Sequence, residues 1–226
     1  MQQKQEFYET ARAIVSFTDS YTQNKQGKRN EQSNQEQTPS LVEISAYLQY
    51  LRDQICYNNA LNSVIHIPKL LKSLSALVTF RLGTHIDLDV GNQRLKVRSL
   101  SRQCLYRIQY IGDEQVHSDL INNGYVRVMS ISFSTAGGKG EEQDEEILNG
   151  LIRIYDFLIG LHEGKTQQPS FQTLPLLVRN TEEQMEEEGA DEELDAQMNN
   201  NGFNGRIKSN ANDAKAMTLN HFIHRN

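Results

Sequence analysis

An all-α fold is what the sequence predicts, a short right-handed α-solenoid of about three to four irregular helical repeats. Three observations predict it. Apolar residues recur in steps of three and four along most of the chain, the spacing of amphipathic helices. Only 4 Pro and 14 Gly interrupt the 226 residues, which leaves room for long helices. A pattern of long helix, short helix, glycine or sharp turn, then apolar helix comes back several times. The β-branched and aromatic residues form no evenly spaced short runs, which argues against a sandwich or barrel.

The first helix is expected over 3–22, where Phe7, Ala11, Ile14, Val15 and Phe17 share a face. Residues 23–38 hold no hydrophobic side chain and read as a disordered polar linker, made locally basic by Lys25, Lys28 and Arg29. The remaining 39–226 form the repeat region, with units at 39–82, 94–135 and 146–198 and a partial one at 206–226. In the first unit Leu41, Ile44, Leu48, Leu51 and Ile55 mark a helix to about Tyr57, followed by a short helix near 59–65. A third helix is expected to open at Pro68, because proline lacks only an N–H that the first turn leaves unbonded anyway. Residues 83–93 read as a loop.

In the second unit a helix over 94–111 turns Leu95, Leu100, Cys104, Leu105, Ile108 and Ile111 inward and stops at Gly112. A short helix at 113–122, a turn at Asn123–Gly124 and a helix at 125–135 follow. The last segment, YVRVMSISFS, is β-prone by propensity, and only its place in the repeat makes it helical. The third unit has an acidic flexible loop at 136–146, a long apolar helix to Gly164, a helix over 171–187, and a short helix from Ala190 to about Met198. A loop, NNNGFNG, precedes a final helix at 206–223.

Composition bounds the function. Hydrophobic residues make up 37% and charged residues 23%, while the mean hydropathy of -0.62 implies that part of the chain is solvated. A net charge of -6 and a pI near 5.6 lack the basic face that nucleic acid needs, so no nucleic-acid partner is expected. No run of 18 uncharged apolar residues exists and the N-terminus lacks a signal-like apolar stretch, so neither membrane nor export is expected. The cytoplasm is the expected location, with the nucleus as the other reducing compartment. Cys56 and Cys104 are too few for a disulfide framework and are expected as buried free thiols.

Motifs that could carry chemistry fail on inspection. Ala136-Gly137-Gly138-Lys139-Gly140 lacks the Ser or Thr that a phosphate loop needs after its lysine. The stretch from Asp87 places Arg98, not glutamate, at the twelfth position of a would-be calcium loop. His221 and His224 lack a third zinc ligand, and His66, His117 and His162 stand alone beside helix termini. The acidic run from Glu182 to Asp195 reads as a solvated helix face, with a docking surface for a basic partner as its functional rival. No catalytic residue, cofactor or metal is expected.

The repeats carry a resemblance. NNALNSVIHIPKLLKSL resembles the second helix, turn and third helix of an armadillo repeat, and DEQVHSDLINNGYVRVMSI resembles the same stretch one unit later. MEEEGADEELDAQM carries a similar Glu-Gly-Ala junction, and IKSNANDAKAMTLNHF resembles a first helix, with Ala211, Ala214 and Ala216 where helices approach. The chain is thus similar to armadillo/HEAT proteins over about 39–223.

That resemblance implies a binding scaffold without catalysis, whose third helices line a groove. Lys69, Lys72 and Arg127 would face a protein or peptide partner, acidic or extended in character. With no Trp, the chain departs from the Trp/Asn ladder by which importin-α-like arrays take nuclear localisation signals. One alternative is an accessory or truncated repeat segment that stacks on another chain, because Phe222 and Ile223 lack a polar cap. A helical enzyme without a recognisable motif is a remote alternative. The sequence fixes neither the oligomeric state nor the identity of the partner.

Overall fold

A computed structural model describes residues 2–25, 39–57, 66–80, 88–134, 143–167 and 169–223. Ten helices make up the described residues: α1 (Gln2–Lys25), α2 (Leu41–Tyr57), α3 (Leu70–Val78), α4 (Leu88–Ile111), α5 (Glu114–Asn122), α6 (Tyr125–Phe133), α7 (Asp144–Glu163), α8 (Pro175–Glu187), α9 (Ala190–Gln197) and α10 (Arg206–Ile223). The only pairing of extended backbone among them is an isolated antiparallel bridge between Lys165 and Phe171. The all-α expectation therefore holds. The chain divides into two compact units, Met1–Ile108 and Gln109–Asn226. None of the described helices is long and apolar enough to cross a membrane.

In the first unit α1 lies on α2 and α3. Its Phe7, Ala11, Ile14 and Phe17 are buried, one helical face hidden by its neighbours. The rings of Phe17 and Tyr21 meet Phe80, just past α3, at centroid distances of 5.6 and 4.7 Å. A capping box starts α2. The Ser40 hydroxyl accepts from the Glu43 amide at 3.3 Å, and Glu43 Oε2 accepts from the Ser40 amide at 2.7 Å and its hydroxyl at 2.8 Å. Those two donors hold the Glu43 carboxyl below its ordinary pKa. Ile44, Leu48, Leu51 and Ile55 then form the buried stripe of α2. The Cys104 thiol on α4 donates to the Leu48 carbonyl at 3.4 Å, and Arg52 donates to Gln103 at 2.8 Å.

Helix α4 carries a feature that the apolar pattern hides. Arg94, Arg98 and Arg102, four residues apart and so on one face, are buried, and Arg98 donates to the Phe80 carbonyl at 3.4 Å. Buried cations are tolerated only when bonded or paired, so this row ties α4 to specific partners instead of simply excluding water.

In the second unit α5 touches α8, α6 touches both α8 and α9, and α7 touches α10. Neighbours in sequence also pack, α6 on α7, α8 on α9, and α9 on α10. The Asp113 side chain caps α5 by accepting from the Val116 amide at 3.0 Å. The β-prone segment after Gly124 is helical, as expected, and ends at Phe133. Tyr125, Val126, Val128, Met129, Ser130, Ser132 and Phe133 are all buried, so tertiary packing around almost the whole circumference overrides propensity. Gly150 of α7 sits against Ser132 of α6, allowing those helices to approach closely. Ile207, Ala211 and Ala214 form the buried side of α10.

Several boundaries differ from the sequence reading. Helix α3 starts at Leu70, not Pro68, because Lys69 adopts a left-handed conformation that no helix continues through. Helix α4 starts at Leu88, so only the first part of the 83–93 loop remains open to that reading, and residues 81–87 lie outside the described ones. Helix α8 starts at Pro175, not at 171: Phe171 is held extended by its bridge to Lys165, and Pro175 takes the first helical turn. Leu95, Ile111 and Cys56 are only half-buried, and Ala216 is exposed, facing away from the buried Ala211 and Ala214. The linker from residue 26 to 38, the short helix expected near 59–65, the glycine-rich loop at 136–140 and the side chains of His221 and His224 lie outside the described residues.

Candidate protein-binding surface

Four helices follow a left-handed residue: Gly205, at φ +80°, precedes the long α10 and its carbonyl accepts from the Ser209 amide at 3.1 Å, while the other three lead into short helices. The residue just before α3, α6 and α9 is left-handed: Lys69 at φ +64°, Gly124 at φ +78° and Gly189 at φ +66°. In each, the carbonyl of that residue accepts from the amide four residues on, Ser73 at 2.8 Å, Val128 at 3.1 Å and Glu193 at 3.3 Å. The helices that follow have similar lengths of 9, 9 and 8 residues. Glycine takes this backbone without steric cost, whereas a lysine is strained by about 1 kcal/mol or more.

The shared geometry gives each helix an equivalent exposed position, the third residue after the junction. These are Lys72 in α3, Arg127 in α6, Glu192 in α9 and Lys208 in α10. In α3 and α6 that position stands out from buried neighbours on both sides, Leu70, Leu71, Ser73 and Leu74 in one and Tyr125, Val126, Val128 and Met129 in the other. The two cations are thus the polar points on otherwise buried helices.

Lys69, Lys72 and Arg127 are all exposed. Lys69 and Lys72 lie three residues apart at the start of α3, in the first unit, and Arg127 belongs to the second. Lys69 Nζ pairs with Asp19 Oδ2 of α1 at 2.9 Å, and Arg127 Nε lies 3.3 Å from Glu188 Oε1. Exposed pairs of this kind are worth about 0–1 kcal/mol, so both cations can be recruited by another anion at small cost. Lys72 has no ion-pair partner among the described residues. In the sequence Glu192 stands only as a member of the acidic run, although its offset from Gly189 equals that of Arg127 from Gly124.

The sequence matches no protein-family model and no curated protein.

The acidic run is partly structural. Glu183 pairs with Arg179 at 2.9 Å, Lys215 of α10 lies 3.2 Å from Asp195 and 3.5 Å from Asp191, and His162 Nε2 lies 3.9 Å from Glu182 Oε1. Glu186, Glu187 and Glu192 are exposed. Among the described residues, no group of three or more His, Cys, Asp or Glu is arranged to hold a metal.

One buried polar cluster was not visible in the sequence. His117, expected merely beside a helix end, is buried with its ring parallel to Phe157 and tilted against Phe171 at 4.9 Å. Its Nδ1 lies 2.8 Å from the Asp113 carbonyl, which fixes the ring. Burial lowers its pKa, and Lys165 lowers it further, against the raising effect of the Asp113 bond. Lys165 Nζ donates to the Tyr110 carbonyl and lies over the Tyr110 ring at 5.6 Å. Desolvation lowers the Lys165 pKa as well. His117 and Lys165 fasten the 164–174 segment to the end of α4 and the start of α5, a structural use of polar chemistry.

Proposed function

We propose that this protein is an armadillo-like interaction module, which binds acidic segments of a partner protein through Lys69 and Lys72 of the first unit and, separately, through Arg127 of the second, and catalyses no reaction. The observation that carries the reading is the equivalence of Lys72 and Arg127. Both stand third after a left-handed junction, both are exposed, and both interrupt buried helix faces. An exposed cation on an otherwise buried helix gives each unit a point at which an acidic segment can dock. The packing of α5 on α8, α6 on α9 and α7 on α10 supports this reading, because stacked layers would require contacts of that kind.

The test is binding of a fluorescently labelled, glutamate-rich peptide, read by anisotropy at low salt. Replacing Lys69, Lys72 and Arg127 together with glutamate should weaken binding about tenfold or more while the helical circular dichroism stays intact. Equal affinity in the triple variant would reject both docking points.

A further inference from the structure

Charge is divided between the two units far more sharply than the net value of -6 suggests. Residues 1–108 hold fourteen Lys and Arg against nine Asp and Glu, a net of +5. Residues 109–226 hold nine against twenty, a net of -11. Most of the acidic excess is concentrated in 175–197, where nine carboxylates face a single cation, Arg179. Part of the basic excess is internal, since Arg94, Arg98 and Arg102 are buried, but Arg12, Lys69, Lys72, Lys96 and Arg107 are exposed. Each unit thus presents exposed charge that its own packing leaves for solvent.

We propose that the occupant of the Lys69–Lys72 face is a second copy of this chain, docked through its own acidic α8–α9 surface. This rests on the reading of Lys69 and Lys72 as a binding face. Three facts favour a second copy over an unrelated acidic protein. The complementary charge is present on the same polypeptide and at equal concentration. It is presented by Glu186, Glu187 and Glu192, which are exposed and make no ion pair among the described residues. The two patches belong to equivalent structural elements, the junction and third helix of the first unit and of the last complete repeat, with Lys72 and Glu192 at the same offset. Two different patches of one chain make a heterologous contact, which forms closed rings where its rotation closes and open chains where it does not. Its strength must depend on salt, because exposed charges more than a screening length apart scarcely interact.

Sedimentation velocity on the full chain tests this. In about 0.02 M salt, where the screening length is roughly 20 Å, the average mass should rise above that of one chain with concentration, and in about 1 M salt, where it is about 3 Å, only single chains should remain. The variants K69Q/K72Q and E186Q/E187Q/E192Q, which remove the charge without reversing it, should each stay single at low salt. Mixed in equal amounts, they should form a two-chain species and nothing larger, because one intact basic face then meets one intact acidic face. That pairing also shows that both variants are folded.

A wild-type chain that stays single at low salt overturns the inference, as do variants that associate like the wild type or a mixture that does not pair. A single wild-type chain that still binds the glutamate-rich peptide removes the second copy and leaves the binding face standing. Loss of both removes the binding face too.

Discussion

The imidazole of His117 lies parallel to the ring of Phe157, with 5.6 Å between centroids and 5° between planes. The stack places a titratable group where its charged form is poorly solvated, and Lys165 opposes the charge further. The folded-state pKa is lowered from the ordinary 6.5, so the unfolded chain takes up the proton first. Stability from this site is therefore fully present above about pH 6.5 and is lost as pH falls below it, until the folded form also protonates. Urea midpoints measured at pH 7.5 and 5.5 should fall with acid in the wild type, with both values chosen to straddle roughly the free histidine pKa. In His117→Phe, which keeps the stack and removes the titration, the fall should be smaller. An equal fall in both proteins would show that other groups set the acid response.

Cys104 and Cys56 should react very differently with a thiol reagent. Cys104 is buried, donates to the Leu48 carbonyl, and burial pushes its pKa far above the ordinary thiol value. The reactive thiolate is thus scarce and inaccessible. Cys56 is half-buried. Native protein should modify at one cysteine rapidly, and at both only after denaturation. Peptide mapping that finds Cys104 labelled in native protein would mean that α2 and α4 separate readily.

Much of the fold was legible because helix periodicity and glycine punctuation are local signals. Gly112, Gly124, Gly164 and Gly189 stop or turn helices where the sequence suggested. The α6 segment was legible only through its place in the repeat, since its side chains favour strands and burial on nearly every side decides otherwise. What stayed hidden depends on tertiary contact. The left-handed Lys69 delays α3 past Pro68, and the Lys165–Phe171 bridge delays α8. The buried arginine row of α4 looks like a solvated face until its neighbours are known. Lys72 and Arg127 were expected as exposed cations from their place in the sequence, whereas the matching offset of Glu192 became visible only when the left-handed junctions could be aligned by backbone conformation.

Gly150 should be intolerant of even one added methyl group. A Cβ there would collide with Ser132 Oγ and press on the Phe133 ring across the α6–α7 contact. The Ser132 hydroxyl is not free to swing away without loss, because it donates to the Met129 carbonyl at 2.6 Å. Gly150→Ala should therefore destabilise by about 1–3 kcal/mol, although alanine favours an isolated helix by about 1 kcal/mol. Adding Ser132→Gly should make the double variant less unstable than the sum of the single changes. Strict additivity in denaturant melts would mean that the helices simply move apart.

Lys69 offers the converse experiment, in which a residue is replaced by the one its backbone prefers. Its φ of +64° matches those of Gly124 and Gly189, yet it carries a Cβ. Lys69→Gly should relieve strain of about 1 kcal/mol, offset in part by the greater freedom that glycine gives the unfolded chain. It also removes the exposed pair with Asp19, worth about 0–1 kcal/mol. The net expectation is a stability within about 1 kcal/mol of wild type, read from the urea midpoint. Gly124→Ala and Gly189→Ala, by contrast, should each destabilise by about 1 kcal/mol or more, since nothing at either junction compensates a Cβ at positive φ. Peptide binding separates strain from function. If Lys69→Gly folds as well as wild type but binds the glutamate-rich peptide less tightly, the strained lysine serves recognition. If stability and binding are both unchanged, its charge is dispensable there and Lys72 carries that docking point.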